Sequence, residues 1–180
     1  LNRKIISELV KWKQESSNKA LLIKGARQIG KTTIVRQFAM AHYKNMVEIN
    51  FEQMPMAKQA FEGNLDARTI LINLSAMGFG PFEPGQTLIF FDEIQACPKA
   101  RTAIKFLVED GQYDYIESGS LLGINYKDVS SYPVGFEREL DMYPLDFEEF
   151  LWACNISKDV IEMLKECYQN LRPVPEFLHG

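Results

Sequence analysis

"LLIKGARQIGKTTIVRQF", residues 21–38, runs from an apolar stretch through a turn with two glycines into an amphipathic stretch. The apolar run 20–23, set between Lys19 and Lys24 and followed by Gly25, suits a fully buried strand of a parallel sheet. From Lys31 onward the apolar positions Ile34, Val35, Phe38 and Ala39 recur at helical spacing. The order is strand, glycine turn, helix.

The turn itself, Gly25-Ala26-Arg27-Gln28-Ile29-Gly30-Lys31-Thr32, matches G-x-x-x-x-G-K-[ST] in full. Glycines let the backbone turn tightly, so that several N–H groups converge on phosphate oxygens while the next helix offers its positive end. Lys31 adds a mobile cation for the outer phosphates, and the Thr32 hydroxyl suits Mg²⁺, which keeps most of its coordination as water and phosphate oxygen. The expected phosphate-binding residues are thus Gly25, Ala26, Arg27, Gln28, Ile29, Gly30, Lys31, Thr32 and Thr33. Arg27 and Gln28 occupy variable positions that often face solvent. The rival reading is a glycine turn before a surface helix with an ordinary exposed lysine.

A second segment selects the chemistry. "TLIFFDEIQ", residues 87–95, puts Asp92 at the carboxyl end of an apolar strand, where ligands of doubly wound sheets bind. Asp92 is placed to hold the Mg²⁺ shell, directly or through water, and Glu93 to take a proton from, or orient, the water that attacks the terminal phosphate. Taken alone, the pair reads equally well as an acidic turn in solvent. Joined to the phosphate loop, it favours water over a substrate hydroxyl as acceptor. Gln95 either holds Glu93 in an inactive orientation or caps the turn before Pro98. No Asn-Lys-x-Asp occurs, and Glu93-Ile94-Gln95 follows Asp92 where a GTP-specific switch would have Asp-x-x-Gly, so adenine is the default base.

Composition bounds the rest. With 180 residues, 46% of them hydrophobic, the chain can bury one respectable core. Twenty Lys and Arg against 24 Asp and Glu give no global field for a polyanion, which leaves nucleic-acid contact unsupported apart from a local basic patch. Cys97, Cys154 and Cys167 and the two histidines His42 and His179 are scattered, so neither a disulfide framework nor a zinc site is legible. Free thiols fit a cytoplasmic setting. No apolar run reaches the roughly 20 residues that span a bilayer, and a basic-then-apolar leader is missing, so no membrane partner is expected. Leu1 in place of Met points to a chain trimmed at that end, and Gly180 to an equally arbitrary stop.

Outward from the loop, a leading helix is expected over 3–13, broken at Glu15-Ser16-Ser17-Asn18. Further short apolar runs at 47–51, 87–91, 115–117 and 139–143 read as strands, with helices over 67–77 and 101–109. This alternation predicts an open parallel sheet covered on both faces. Near the end, Asp146 with Glu149 forms a capping-box start, and a second helix runs from Ser157 to about Asn170, stopped by Pro173 and Pro175. The expected division is a core with its leading helix over 1–145 and a helical extension over 146–180. The aromatics Phe136, Tyr143, Phe147, Phe150 and Trp152 suggest base stacking or, at this spacing, core packing, and core packing is the expectation.

Taken together, the phosphate loop, "INFE" (49–52), "LIFFDEIQ", "ESGSLLG" and "PVGFERELDMYPLDFEEFLWA" resemble the prokaryotic AAA-type P-loop ATPases of the archaeal-ATPase-like group, over nearly the whole chain. The resemblance implies a sheet of about five strands in the order 5-1-4-3-2, ATP and Mg²⁺ at the strand ends, and a further C-terminal region through which a protein partner is chosen. It also implies a sensor beside the terminal phosphate at Ser118 or Ser120, with Ser118 favoured by position, although a Ser-Gly-Ser turn is the alternative. Relatives often carry an arginine before the fifth strand. Arg138 in "GFERE" departs from their Gly-Arg form, and an exposed surface role competes with a role in nucleotide sensing.

The function expected is Mg²⁺-dependent ATP binding and hydrolysis coupled to conformational change, with Glu93, Lys31 and Ser118 at its chemical centre and Thr32 and Asp92 as metal ligands. One alternative is an ATP-controlled switch in signalling or defence with little turnover. Another is a P-loop kinase, which would need an arginine-rich lid and an acceptor pocket that the sequence does not display. The oligomeric state stays open.

Overall fold

A computed structural model describes residues 3–15, 18–120 and 135–175. In chain order the regular elements are α1 (Ile5–Gln14), β1 (Ala20–Gly25), α2 (Lys31–His42), β2 (Asn45–Asn50), α3 (Ala67–Ala76), β3 (Thr87–Asp92), α4 (Pro98–Asp110), β4 (Asp114–Ser120), β5 (Glu137–Asp141), α5 (Phe147–Ala153) and α6 (Lys158–Gln169). Two 3-10 segments, Pro55–Phe61 and Ile94–Ala96, were not expected from the apolar periodicity. Each is short, begins after a non-helical residue and carries too few apolar positions for a period to register.

The five strands form one sheet in the order β2-β3-β4-β1-β5, and every pairing is parallel. Read from the other edge, this is the order 5-1-4-3-2 that the family resemblance implies. Parallel neighbours require crossovers, and the intervening helices cover both faces, which is why β1 and β3 are apolar on both sides. Leu21, Ile23, Leu88, Phe90 and Ile116 pack with α1 and α2, whereas Leu22, Ile49, Ile89, Phe91 and Tyr115 pack with α3 and α4. Because side chains alternate along a strand, Asp92 and Ser118 share the α2 face and Glu117 takes the α4 face.

Glu117 is fully buried, in register with Leu22 of β1 and Phe91 of β3. On the same side, Arg101 Nη2 of α4 lies 3.0 Å from Glu137 Oε2 of β5. Burial raises Glu117 well above the ordinary carboxylate range and the adjacent Glu137 adds to the shift, which favours the protonated form of Glu117. Burial also raises Glu137, and the Arg101 guanidinium opposes that shift.

The described residues divide into two compact units, one within 5–143 and the other formed by those before Ile5 and after Tyr143. In the second unit α5 opens with the expected capping box: Asp146 Oδ1 accepts from the Glu149 amide at 2.8 Å and Glu149 Oε2 accepts from the Asp146 amide at 3.1 Å. Ser157 caps α6, which ends at Gln169, ahead of Pro173.

One expectation is corrected here. Phe136 is half-buried against the α4-side core, but Tyr143, Phe147 and Phe150 are exposed, so the aromatic group is not a single core stripe. On α5 the buried position belongs to Glu149, whose Oε1 lies 3.1 Å from Nε of the equally buried Arg3. A seven-residue helix whose inward position holds an ion pair leaves its aromatics facing outward.

Candidate nucleotide site

The carboxyl ends of β1 and β3 gather the residues singled out in the sequence. β1 ends at Gly25, the loop follows, and α2 begins at Lys31 with Gly30 ahead of it in a left-handed conformation, φ 95°. That φ is open to glycine at little cost and turns the chain into the helix. Gln28 is also left-handed, φ 63°, an unusual state for a non-glycine residue that shapes the loop's concavity. A Cβ on Gly25 would meet Met142 O at 2.4 Å, so glycine is required there by the passing chain after β5.

Among the described residues, the amides of 30–33 donate to no other backbone group, while the next one, Ile34 N–H, closes the first helical bond to Gly30 O at 3.0 Å. Unpaired first-turn amides at the positive end of a twelve-residue helix are the donor set a phosphate requires. Lys31, buried at 6% exposure, turns back over this loop and donates to Gly25 O at 3.0 Å and Ala26 O at 2.8 Å. Burial holds its ammonium below the ordinary lysine value, and the charges of Glu93 and Asp92 oppose that shift. A cation resting on two main-chain carbonyls can exchange them for phosphate oxygens without crossing an apolar barrier.

Asp92, 3% exposed, is the hub of the second half of the site. Thr32 Oγ1 donates to its Oδ2 at 3.0 Å, Asn50 Nδ2 donates to the same oxygen at 3.0 Å, and Ser118 Oγ donates to Oδ1. The Glu93 amide also reaches Oδ1, at 3.2 Å. These bonds satisfy the carboxylate in its buried position. Thr32 and Asp92 present hard oxygens side by side and leave the remaining shell to water and phosphate, which fits Mg²⁺.

Glu93 follows in the left-handed region, φ 53° and ψ 50°, and Gln95 Nε2 donates to its Oε2. Ser120 is in register with Gly25 on the α2 face, two residues beyond the fully buried Ser118. Ile29 lies against the α2-side core, and Thr33 sits in the first turn of α2.

Several candidates are drawn elsewhere. The Arg27 guanidinium pairs with Glu52 at 2.9 Å, and both side chains are exposed. Arg138, opposite Leu21 in the register, is held by Glu8 of α1 at 3.2 Å and by Glu15, just past its end, at 2.7 Å. Of the "SGS" and "GFE" segments the structure describes Ser118 to Ser120 and Gly135 onward; Leu121, Leu122, Gly123, Pro133 and Val134 lie outside the described residues, as do Ser16, Ser17 and His179. A cavity of about 230 Å³, lined among others by Trp12, Lys19, Tyr113 and Tyr115, sits at the amino ends of β1 and β4, away from the loop.

Asn50 escaped the sequence reading. It lies in the quoted "INFE", as the polar last residue of a strand pairing in parallel with β3, in register with Asp92. A polar residue closing a buried strand at the ligand-binding edge was the available signal. Its Oδ1 also accepts from the amides of Glu52 and Gln53, at 3.0 and 2.9 Å, which fixes the side chain.

Comparison with known proteins agrees with the fold. No curated protein matches the chain. Among solved structures, the Pif1 helicase from Candida albicans is similar at 14% identity and a TM-score of 0.53, over 98% of this chain and 45% of that one. PCH-2 from C. elegans is similar at 12% identity and a TM-score of 0.49, over 96% of this chain and 48% of that one. The chain thus spans about half the length of each of these solved chains. The helicase likeness is one of fold. The family model described as AAA domain matches residues 17–151, from just ahead of β1 into α5, and so takes in the phosphate loop, both acidic residues and all five strands. The chain belongs to the AAA domain family.

Proposed function

We propose that the domain binds ATP with Mg²⁺ and hydrolyses its terminal phosphate bond, using the cycle to drive a conformational change. The observation that carries this reading is the 3.0 Å contact between Thr32 Oγ1 and Asp92 Oδ2, which joins the end of the phosphate loop to the end of β3. An acidic turn in solvent would not bury its aspartate beneath the hydroxyl of a phosphate loop.

On this reading the amides of 30–33 take phosphate oxygens, and Lys31 leaves the carbonyls of Gly25 and Ala26 for the outer phosphates. Thr32 and Asp92 would hold Mg²⁺, directly or through water. Bound there, the ion would screen charge developing on the leaving diphosphate. Glu93 takes the proton from the attacking water as its oxygen bonds to the terminal phosphorus, and the bond to the bridging oxygen breaks to release ADP. Ser118, buried on Asp92, contributes by holding that carboxylate. Ser120 stands nearer the loop as the alternative sensor. The partner on which the cycle acts, a protein met through a further C-terminal region, belongs to this proposal, as does a cytoplasmic setting. No helix among the described residues is long and apolar enough to cross a membrane.

The test is Glu93→Gln. It is expected to retain Mg·ATP binding in calorimetry while phosphate release, measured with no acceptor present, falls by at least about a hundredfold. Unchanged release would reject Glu93 as the base. Tight binding with negligible turnover in the unsubstituted chain would point to a nucleotide-controlled switch, and release only on addition of an acceptor to a kinase.

A further inference from the structure

We propose that Gln95 is a positioning residue for hydrolysis, holding the Glu93 carboxylate by one oxygen so that the other faces the attacking water. The inference rests on the reading of Glu93 as general base. Gln95 Nε2 donates to Glu93 Oε2, and among the described residues Glu93 Oε1 accepts no hydrogen bond. One oxygen is tied and one is free. That is the arrangement a general base needs if its orientation is to be set before the water arrives.

Two local features keep the pair together. Glu93 adopts φ 53° and ψ 50°, a conformation that costs free energy in a residue with a Cβ. It starts the 3-10 turn in which Ala96 N–H bonds to Glu93 O and Cys97 N–H to Ile94 O, both at 2.9 Å. The turn carries Gln95 on a short rigid segment, because Pro98 begins α4 directly after it. Contact between residues two apart therefore comes from the backbone fold and not from a chance meeting of long side chains. Glu93 is also near enough to Lys31 for its charge to act on the ammonium.

The chemistry of Gln95 argues for a purpose beyond packing. Its Oε1 is buried and takes no hydrogen bond among the described residues. A buried acceptor without a partner is a cost, and an apolar side chain of the same shape would avoid it. The amide cannot be turned over to relieve this, since its oxygen would then face the carboxylate. What the glutamine offers over methionine at this position is the N–H aimed at Glu93. The hold does not withdraw both oxygens, so it serves the productive orientation and not an inactive one.

The test compares Gln95→Met, which keeps length and volume but removes the donor, in the natural background and in Glu93→Gln. Phosphate release by the full chain gives kcat and KM, single-turnover measurements resolve the slow background, calorimetry gives Mg·ATP affinity, and thermal melts report the fold. Gln95→Met is expected to lower kcat about tenfold or more with KM and affinity unchanged, and to cause no further loss once Glu93 is glutamine. Gln95→Leu, also without a donor, should lose kcat likewise if the methionine variant proves unstable. An unchanged or faster kcat overturns the inference, as does an equal extra loss in the Glu93→Gln background. If Glu93→Gln alone hydrolyses ATP normally, or the natural chain binds ATP without turning it over, the general-base reading fails first and the positioning role goes with it.

Discussion

Asn50 Nδ2 and Thr32 Oγ1 both donate to one oxygen of Asp92, each at 3.0 Å, so the ends of β2, α2 and β3 meet on a single carboxylate. The same asparagine uses its carbonyl to hold the turn after β2. Asn50→Asp would keep that acceptor but set a second negative charge against Asp92. We expect Mg²⁺-dependent phosphate release to fall about tenfold, with the loss partly recovered by raising Mg²⁺. Asn50→Leu removes both functions and should cost about 1–3 kcal/mol in urea unfolding, because Asp92 loses a donor and two turn amides lose their acceptor. A loss confined to Asn50→Leu, with Asn50→Asp behaving as the natural chain, would show that the asparagine matters only for the turn.

Thr32→Val keeps the shape of the side chain and deletes the oxygen shared between loop and strand. Because the role proposed for that hydroxyl is metal binding, the expected loss lies in the Mg²⁺ dependence. The Mg²⁺ concentration for half-maximal hydrolysis should rise by about tenfold or more. ATP binding measured without metal should barely change. A Mg²⁺ titration of phosphate release is the check.

Gly25→Ala tests the close approach at the start of the loop. The new methyl would stand 2.4 Å from Met142 O and 2.6 Å from Ile29 Cδ1, and the first of these is backbone that cannot swing aside. Met142 N–H is itself bonded to Lys24 O at 2.7 Å, which ties the passing chain to β1. Overpacking of this kind costs roughly 1–3 kcal/mol. The melting temperature should drop and Mg·ATP affinity should weaken along with it, since the loop leaves from the displaced residue.

Glu117→Gln addresses the buried acid pair. Glu117 is raised in the folded chain by burial and by Glu137, with Arg101 of α4 opposing, so the folded state binds a proton that the unfolded state releases above the ordinary carboxylate range. Its contribution to stability is full below that range and is lost as pH rises toward the folded value. Glutamine reproduces the shape and neutrality of the protonated acid without the titration. The variant should therefore match the natural chain near pH 4 and melt higher at pH 8, by about 2–4 °C if the difference is near 1 kcal/mol. A gain that is equal at both pH values would show that Glu117 does not hold a proton in the folded state.

The strand, turn and helix around the phosphate loop were legible from residues 21–38, and so were the strand ending at Asp92 and the caps at Asp146 and Ser157. In each case the signal was local: a buried run, a glycine that accepts a left-handed φ, or a side-chain oxygen three residues ahead of the amide it caps. The 3-10 turn after Glu93 and the exposure of Phe147 and Phe150 were not legible, because they depend on what stands opposite in space.

Sequence by itself determined that this chain would build an alternating parallel fold with a loop suited to phosphate, since strand burial, helix period and glycine turns act over a few residues. Only the tertiary structure decided that Asp92 would be shared by Thr32, Asn50 and Ser118, and that Glu117, Glu137 and Arg101 would be buried near one another. Those groups come from separate strands and helices, and the register of the sheet together with the packing of the helices on it sets which of them meet.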